Sequence, residues 1–364
     1  MLDHIVVELE SILKNDYPAL EIIKKVLIAL KEAGYSSYLV GGAVRDFLLK
    51  KPISDFDIAT EAKPHEVSKL FKCTPTGEKY GSVTALIDDL QIQITTFRSD
   101  GNYLDFRHPE EVIFSNNVFD DVFRRDFTIN ALLMDELEVI HDYTGGLTDL
   151  KQRVIRAVGD PIERFNEDAL RVLRALYFQS KLGFTIDYQT RQAMTECREN
   201  ILQIAVERVM LELKKIFRSP RVDLSLKTMY ETKIHETLPG IKEGVELFLS
   251  KTEMPFLETF FVCSFVLNKN IPSYYLFSNK QKHIIKCAVD LTKKKVLTDY
   301  DLYLFGLEIS LLANRAMHYL YGHQLEIGAL THRFETLIIK SETDIALSSR
   351  EILTITNKKA IITT

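Results

Sequence analysis

The stretch Leu39-Val-Gly-Gly-Ala-Val-Arg-Asp46, followed by Asp55-Phe-Asp57, decides the fold of the chain. An apolar strand ending in Gly41-Gly42 and running into a helix lets an anion such as a phosphate approach the backbone. The free amides at the helix start favour its charge. Alone, a Gly-Gly pair is a tight turn. The pair of carboxylates on the next strand adds a second feature: alternate strand residues share a face, so Asp55 and Asp57 project together while Phe56 enters the core. Two adjacent carboxylates repel unless a cation separates them. A hard, oxygen-seeking ion such as Mg²⁺ suits them when substrate phosphates complete its shell.

Outward from this stretch, Tyr38–Val40, Phe56–Ala59, Val83–Ile87 and Gln91–Phe97 read as strands, with Asp88-Asp89 as a hairpin turn between the last two. Residues 1–33 carry apolar positions at helical spacing (Ile5, Val6, Leu9, Ile12, Leu13, then Ile22, Ile23, Val26, Leu27, Leu30), which fits two amphipathic helices. From Ser99 to Asn117 no period is sustained, so a long loop is expected. After Asp126 the pattern is almost entirely helical, with breaks at Gly145-Gly146, Pro161, Pro220, Pro239 and Pro272. The expected class is α+β: a small N-terminal head built on a mixed sheet, followed by helices.

The 364 residues carry 46 Lys and Arg against 51 Asp and Glu, a net charge of -5. Any nucleic-acid contact must therefore come from local basic patches rather than global charge. The four cysteines (Cys73, Cys197, Cys263, Cys287) show no CxxC spacing, which argues against a zinc site and fits free thiols in a reducing cytosol. No basic leader opens the chain, and no run reaches about 18 apolar residues, so membrane spanning and secretion are not expected and a cytoplasmic protein is.

GGAVRD followed by DFDIAT resembles the nucleotidyltransferase head of the polymerase beta superfamily. The similarity is to the branch that holds tRNA CCA-adding enzymes and bacterial poly(A) polymerases, and it runs from about Leu20 to Gly240 through several motifs in the family's order. It implies that Asp55 and Asp57 hold two Mg²⁺ ions and that Gly41, Gly42 and Arg45 lie along a triphosphate. It also implies that Arg124-Arg125-Asp126-Phe127-Thr128-Ile129-Asn130 matches the family's RRDFTxN motif, with Arg124, Arg125, Asp126 and Asn130 near the sugar and phosphates. Asp142-Tyr143-Thr144-Gly145-Gly146 resembles a family segment that permits a bend. One departure stands out, because Gln93 occupies a position where family members commonly carry Glu.

The helix read as beginning at Asn166 places Glu167, Asp168 and Arg171 on one face. An intrahelical ion pair explains such spacing, and the match to the family's EDxxR motif implies a sharper role. A carboxylate only accepts hydrogen bonds and a guanidinium only donates them. Cytosine and adenine both present an amino donor beside a ring-nitrogen acceptor, whereas guanine and uracil present the reverse. Asp168 and Arg171, with Arg174 assigned beside them, can thus select C and A without a nucleic-acid template. Arg208 and Glu212, at i, i+4 in a later motif, are assigned to structural support of the preceding helix.

The densest basic run, Lys280, Lys282, Lys286, Lys293, Lys294 and Lys295, with Asp290 alone opposing it in that span, is the expected tRNA contact. The resemblance divides the chain into a head (1–142), neck (143–218), body (219–297) and tail (298–364). It implies CCA addition to tRNA from CTP and ATP. A poly(A) polymerase, a CC-only or A-only enzyme of the same branch, and an inert RNA-binding relative are the alternatives. The long loop after Ser99 favours full CCA addition, since CC-only relatives lack most of it.

Overall fold

The computed structural model describes residues 5–8, 18–77, 80–100, 112–340 and 344. The chain divides into two compact units that meet in sequence between Leu238 and Pro239. That division is coarser than the four segments drawn from the sequence.

In the first unit, eight strands make one sheet: β1 (Ile5–Glu8), β2 (Ser37–Val40), β3 (Phe56–Thr60), β4 (Cys73–Gly77), β5 (Ser82–Ile87) and β6 (Leu90–Thr96), with β9 (Leu133–Met134) and β10 (Val139–Asp142). Their spatial order is β1-β10-β9-β2-β3-β6-β5-β4, and β3 and β6 are parallel. Between β6 and β9 in sequence, β7 (Arg98–Asp100) and β8 (Val112–Phe114) form a separate hairpin. Four expected strands are present, each within a residue of its expected start, and the Asp88-Asp89 turn joins β5 to β6. Both turn residues have positive φ, 47° and 64°, as a two-residue hairpin of matching twist demands.

The N-terminus departs from expectation. Ile5–Glu8 is an edge strand paired antiparallel with Val139–Asp142, not part of a helix. Three consecutive β-branched residues, Ile5, Val6 and Val7, favour the pleated surface more strongly than their helical spacing favoured a helix. The second expected helix is α1 (Pro18–Glu32), whose Ile23, Val26, Leu27 and Leu30 are buried at i, i+3, i+4, i+7. Strands β9 and β10 also interrupt the region read as helical after Asp126. They are short, two and four residues, and carry too little alternation to be read without their partners. The loop expected from Ser99 to Asn117 begins within β7, contains β8 and ends at the cap of α4, and residues 101–111 lie outside the described residues.

Beside the sheet lie α2 (Gly42–Leu48), α3 (Pro64–Leu70) and α4 (Val118–Phe123). Then come α5 (Gly146–Gln152), α6 (Pro161–Glu167), α7 (Leu170–Leu182), α8 (Tyr188–Glu196), α9 (Val206–Phe217), α10 (Val222–Glu231) and α11 (Ile234–Thr237). This stretch is helical except for one two-residue parallel pair, Val154–Ile155 with Thr185–Ile186. Pro161 opens α6 behind its cap Asp160, whose carboxylate accepts from the Ile162 and Glu163 amides. The apolar faces of α7 and α9 bury Val172, Leu173, Leu176, Val209, Leu213 and Ile216, and Ser225 of α10 donates to the Leu176 carbonyl at 2.7 Å.

Gly145-Gly146 is not an open bend. The Asp142 carboxylate accepts from the amides of Thr144, Gly146 and Leu147, and a Cβ on Gly146 would lie 2.2 Å from the Thr128 carbonyl oxygen. Close packing against the Thr128 backbone is what requires a glycine there.

The second unit holds α12 (Lys242–Phe248), α13 (Leu257–Asn268), α14 (Asn279–Leu291), α15 (Asp299–Tyr321) and α16 (Ile327–Glu335). Phe260, Phe261, Phe265, Tyr275 and Phe277 form its aromatic core. Gly306, at φ 75°, breaks α15 into two helical pieces. Among the described residues no helix is long and apolar enough to cross a membrane, and all four cysteines are free thiols.

Candidate active site

Strand register assembles the first half of the site. In the β2–β3 pair Val40 lies opposite Asp57, so the chain leaving β2 through Gly41-Gly42 passes beside that carboxylate. On the other side of β3, Asp57 is in register with Gln93 of β6. Gly41 takes φ 71° and ψ -131°, and a Cβ there would come within 3.4 Å of the Arg125 guanidinium. The positive φ of the turn is what requires glycine there.

Asp55 precedes β3 rather than lying in it, and is exposed, with the Ser54 hydroxyl donating to it at 2.8 Å. Asp57 is half-buried. Burial pushes its carboxyl above the usual carboxylate range, Arg125 pulls it back and the Asp55 charge pushes it up again. The two carboxylates therefore sense one another, as their spacing predicted.

Asp121 of α4, fully buried, fixes two cations. Its Oδ1 accepts from Arg124 Nε at 3.0 Å, and its Oδ2 from Arg125 Nη2 at 2.6 Å. Burial opposes its ionisation, yet Arg125 and Arg124 hold its carboxyl below the usual range. Asp126 is a second hub. Its carboxylate takes the Phe127 amide at 2.7 Å, Asn130 Nδ2 at 3.0 Å, Arg174 Nε at 2.8 Å and Arg174 Nη2 at 2.6 Å. Those contacts fill the roughly four acceptor positions of a carboxylate. Asp126 thus orients its neighbours and keeps little capacity for a ligand. Asn130 passes the chain on by accepting from Arg45 Nη1 at 2.5 Å, and Arg45 Nε donates to Asp46 at 2.8 Å.

The helix expected from Asn166 is broken. Asp168 has φ -137° and ψ 99°, between α6 and α7, and its side chain caps α7 by accepting from the Leu170 amide at 3.0 Å. Leaving the helix aims that carboxylate at the cleft instead of along a helical surface. Burial pushes its carboxyl up, with Arg171 the strongest opposing influence and Arg208 and Arg174 adding to it. Arg171 is held by Glu167 Oε2 at 2.7 Å, the Arg164 carbonyl at 2.9 Å and the Arg124 carbonyl at 2.7 Å. Glu167 therefore orients Arg171 and does not itself reach the cleft. Arg208 and Glu212 lie on α9, packed against α7. Glu212 is buried and pairs with Lys215 at 2.8 Å.

These side chains line one open cleft of about 350 Å³. The strand region gives it Gly41, Gly42, Arg45 and Asp57. The Arg124–Asn130 segment gives it both arginines, Asp126 and Asn130; the break between α6 and α7 gives Asp168, and α7 gives Arg171, Arg174 and Phe178. Asp55 and Glu167 stand just outside. Phe178 is the lining residue that sequence reading missed, because a buried phenylalanine at helical spacing looks like any core residue.

The expected RNA-binding lysines are exposed on α14 and just after it. Asp290 is not their sole opponent: Lys293 pairs with Asp290 at 2.7 Å, and Lys294 pairs with Asp301, fully buried at the start of α15. Lys286 and Lys293 line a cleft of about 490 Å³ in the second unit together with Lys269, which the sequence reading did not single out.

Residues 37–156 match the family described as the poly A polymerase head domain, and residues 183–244 match a probable RNA- and SrmB-binding site of polymerase A. The CCA-adding enzyme of Anoxybacillus flavithermus is 36% identical over 346 residues, covering 92% of this chain and 87% of that one. The CCA-adding enzyme of Lactobacillus johnsonii is 37% identical over 343 residues, with 90% and 86% covered. Among solved structures, the Bacillus stearothermophilus CCA-adding enzyme in complex with CTP superposes with a TM-score of 0.81 at 30% identity, covering 94% of this chain and 89% of that one.

Proposed function

Because the chain belongs to the CCA-adding enzyme family, we propose that the cleft of the first unit is where it binds metal, CTP and ATP, each residue acting through the geometry just described. The protein is a tRNA nucleotidyltransferase that adds CMP, CMP and AMP to the tRNA 3′ end without a nucleic-acid template, releasing pyrophosphate.

Asp55 and Asp57 would hold divalent metal, two Mg²⁺ ions in our reading. The donor set fits a hard cation: two oxygen-only side chains, one half-buried with its carboxyl raised first by burial and then by the other's charge, gain most from a positive ion between them. Bound there, such ions would activate the terminal ribose hydroxyl and offset the charge of the departing pyrophosphate. Gln93 adds a neutral amide oxygen beside Asp57 where relatives add a third carboxylate.

Gly41, Gly42 and Arg45 receive the triphosphate, while Arg124 and Arg125, fixed by Asp121, face the phosphates and sugar. Asp126 acts by holding Asn130 and Arg174 in place. Asp168 accepts the amino hydrogen of cytosine or adenine, and Arg171 donates to the adjacent ring nitrogen. Guanine and uracil would set donor against donor and acceptor against acceptor, at a cost of about 1–3 kcal/mol for each unsatisfied group. The observation that carries this assignment is that Asp168 and Arg171 line the same cleft as Asp57 and the Gly41-Gly42 turn.

We read residues 1–142 as head, 143–218 as neck, 219–297 as body and 298–364 as tail, in a cytoplasmic enzyme. The tRNA phosphates would meet Lys280, Lys282, Lys286 and Lys295, with Lys269 beside them. Lys293 and Lys294 contribute less, because carboxylates already hold them. Purified protein given tRNA lacking CCA should add two C residues with CTP alone, nothing with ATP alone, and CCA with both. A tail grown from ATP alone would indicate a poly(A) polymerase, and a stop after CC with both nucleotides a CC-only enzyme.

A further inference from the structure

Two guanidinium groups share one aromatic ring at the floor of the cleft. Arg45 Cζ and Arg174 Cζ each lie 5.2 Å from the centroid of Phe178. Arg174 and Phe178 are i, i+4 neighbours on α7, so their contact is built into the helix. Arg45 arrives from α2, just after the Gly41-Gly42 turn. Phe127 packs edge-on against the ring at 5.7 Å and 81°, and Tyr177 lies at 5.2 Å, which together hold it in place.

The same two arginines are the ends of a polar chain that runs Arg45–Asn130–Asp126–Arg174 through contacts of 2.5, 3.0 and 2.8 Å. Each cation has an acceptor and the two carry like charge; Arg45 is buried, while the Arg174 side chain is 34% exposed. Hydrogen bonds fix each guanidinium within its own plane, Arg45 through Asp46 and Asn130, and Arg174 through Asp126. What faces its plane decides where the rest of it stands. An aliphatic side chain at position 178 would fill the space yet offer no negative surface, whereas the face of a phenylalanine ring attracts both cations.

We propose that Phe178 is a positioning residue of the nucleotide site, its ring holding Arg45 and Arg174 at the separation that a bound nucleoside triphosphate requires. The proposal rests on reading the cleft as the nucleotide site. It assigns Phe178 no contact with the base, so the residue governs affinity for CTP and ATP alike and leaves the choice between C or A and U or G to Asp168 and Arg171.

The test replaces Phe178 with mono-, tri- and pentafluorinated phenylalanine. Fluorination keeps the ring's shape while stepwise removing, then reversing, the negative charge of its face. Extension is measured with CTP on tRNA lacking CCA and with ATP on tRNA ending in CC. The KM for both nucleotides should rise together along the series, by roughly two- to thirtyfold at the pentafluoro ring, with kcat changing less and base choice unchanged. Phe178→Leu should raise KM at least as far, and the fluorinated series decides the matter if that variant fails to fold. A KM that stays flat along the series, or a change in base choice in its place, overturns the proposal. Arg45→Ala separates the two layers: with a raised KM in Arg45→Ala and a flat fluorinated series, only the role of Phe178 falls. An unchanged KM in Arg45→Ala removes the nucleotide-site reading and this proposal with it.

Discussion

Replacing Arg171 by alanine removes a guanidinium that the fold has already oriented. Nη1 donates to Glu167 and to the Arg164 carbonyl, and Nη2 donates to the Arg124 carbonyl. A guanidinium has five N–H donors, so these three bonds leave Nε–H and one Nη2–H for a base. Hydrogen bonds involving a charged group contribute about 1.5–3 kcal/mol, so losing the donor half of the pair should cut discrimination against UTP and GTP by about ten- to 150-fold. A second effect adds to this. Burial already raises the Asp168 carboxyl, and Arg171 is the strongest influence opposing it. Without Arg171 the carboxyl rises further, and its protonated fraction grows as pH falls. A protonated carboxyl donates its O–H, which suits the carbonyl of uracil or guanine. Misincorporation by Arg171→Ala should therefore increase as the pH is lowered, the direction in which a raised carboxyl gains its proton, while the parent protein stays selective. Single-nucleotide extension of tRNA lacking CCA, at each pH, measures both effects. A variant that loses rate yet keeps its selectivity at every pH would refute the template role and leave Arg171 a structural ion-pair partner of Glu167.

Asp55→Ala or Asp57→Ala should abolish nucleotide addition, a fall of at least about a thousandfold in rate, while filter binding of tRNA stays near the parent value. Substantial activity in both variants would remove the metal assignment. Asp121→Asn leaves Arg124 and Arg125 without their shared buried carboxylate and should lower unfolding stability by about 3–5 kcal/mol in denaturant titrations near neutral pH. Because the folded Asp121 carboxyl lies below its ordinary range, its contribution is present above the unfolded value near ~3.9 and is lost as pH falls through the folded one. The difference between parent and variant should shrink in acid, and a difference independent of pH would contradict the charge pairing. Deleting residues 101–112, which reach the first residue of β8, should leave CC addition near normal and cripple addition of the final A. Equal loss of both steps would deny that segment a role in switching between bases.

How legible the molecule was depended on whether a feature was local. Asp57, the Gly41-Gly42 turn and the Asp88-Asp89 hairpin were readable because backbone conformation and strand alternation determine them within a few residues. The edge strand Ile5–Glu8 and the short β9 and β10 were not, since each is stabilised by pairing with a distant partner and carries little pattern of its own. Asp168 and Arg171 were found as a pair, but the helix break that turns Asp168 toward the cleft has no proline or glycine to announce it. Asp121 and Phe178 escaped notice for a related reason. Asp121, with Arg124 and Arg125 at i+3 and i+4, reads as a solvated ion-paired acid until the fold buries it, and Phe178, four residues after Arg174, reads as a core aromatic until the fold brings Arg45 onto it. The lysines after α14 show the opposite error, as a dense basic run loses part of its charge to Asp290 and to the buried Asp301.

The central claim is that one protein surface, without a nucleic-acid template, selects C twice and A once and then stops. Incubating the purified protein with tRNA lacking CCA and all four nucleoside triphosphates at equal concentration, then sequencing the 3′ ends, tests it most directly. The account predicts ends of CCA with no U or G and no extension beyond the A; runs of A, or U and G incorporated in proportion to their supply, would contradict it.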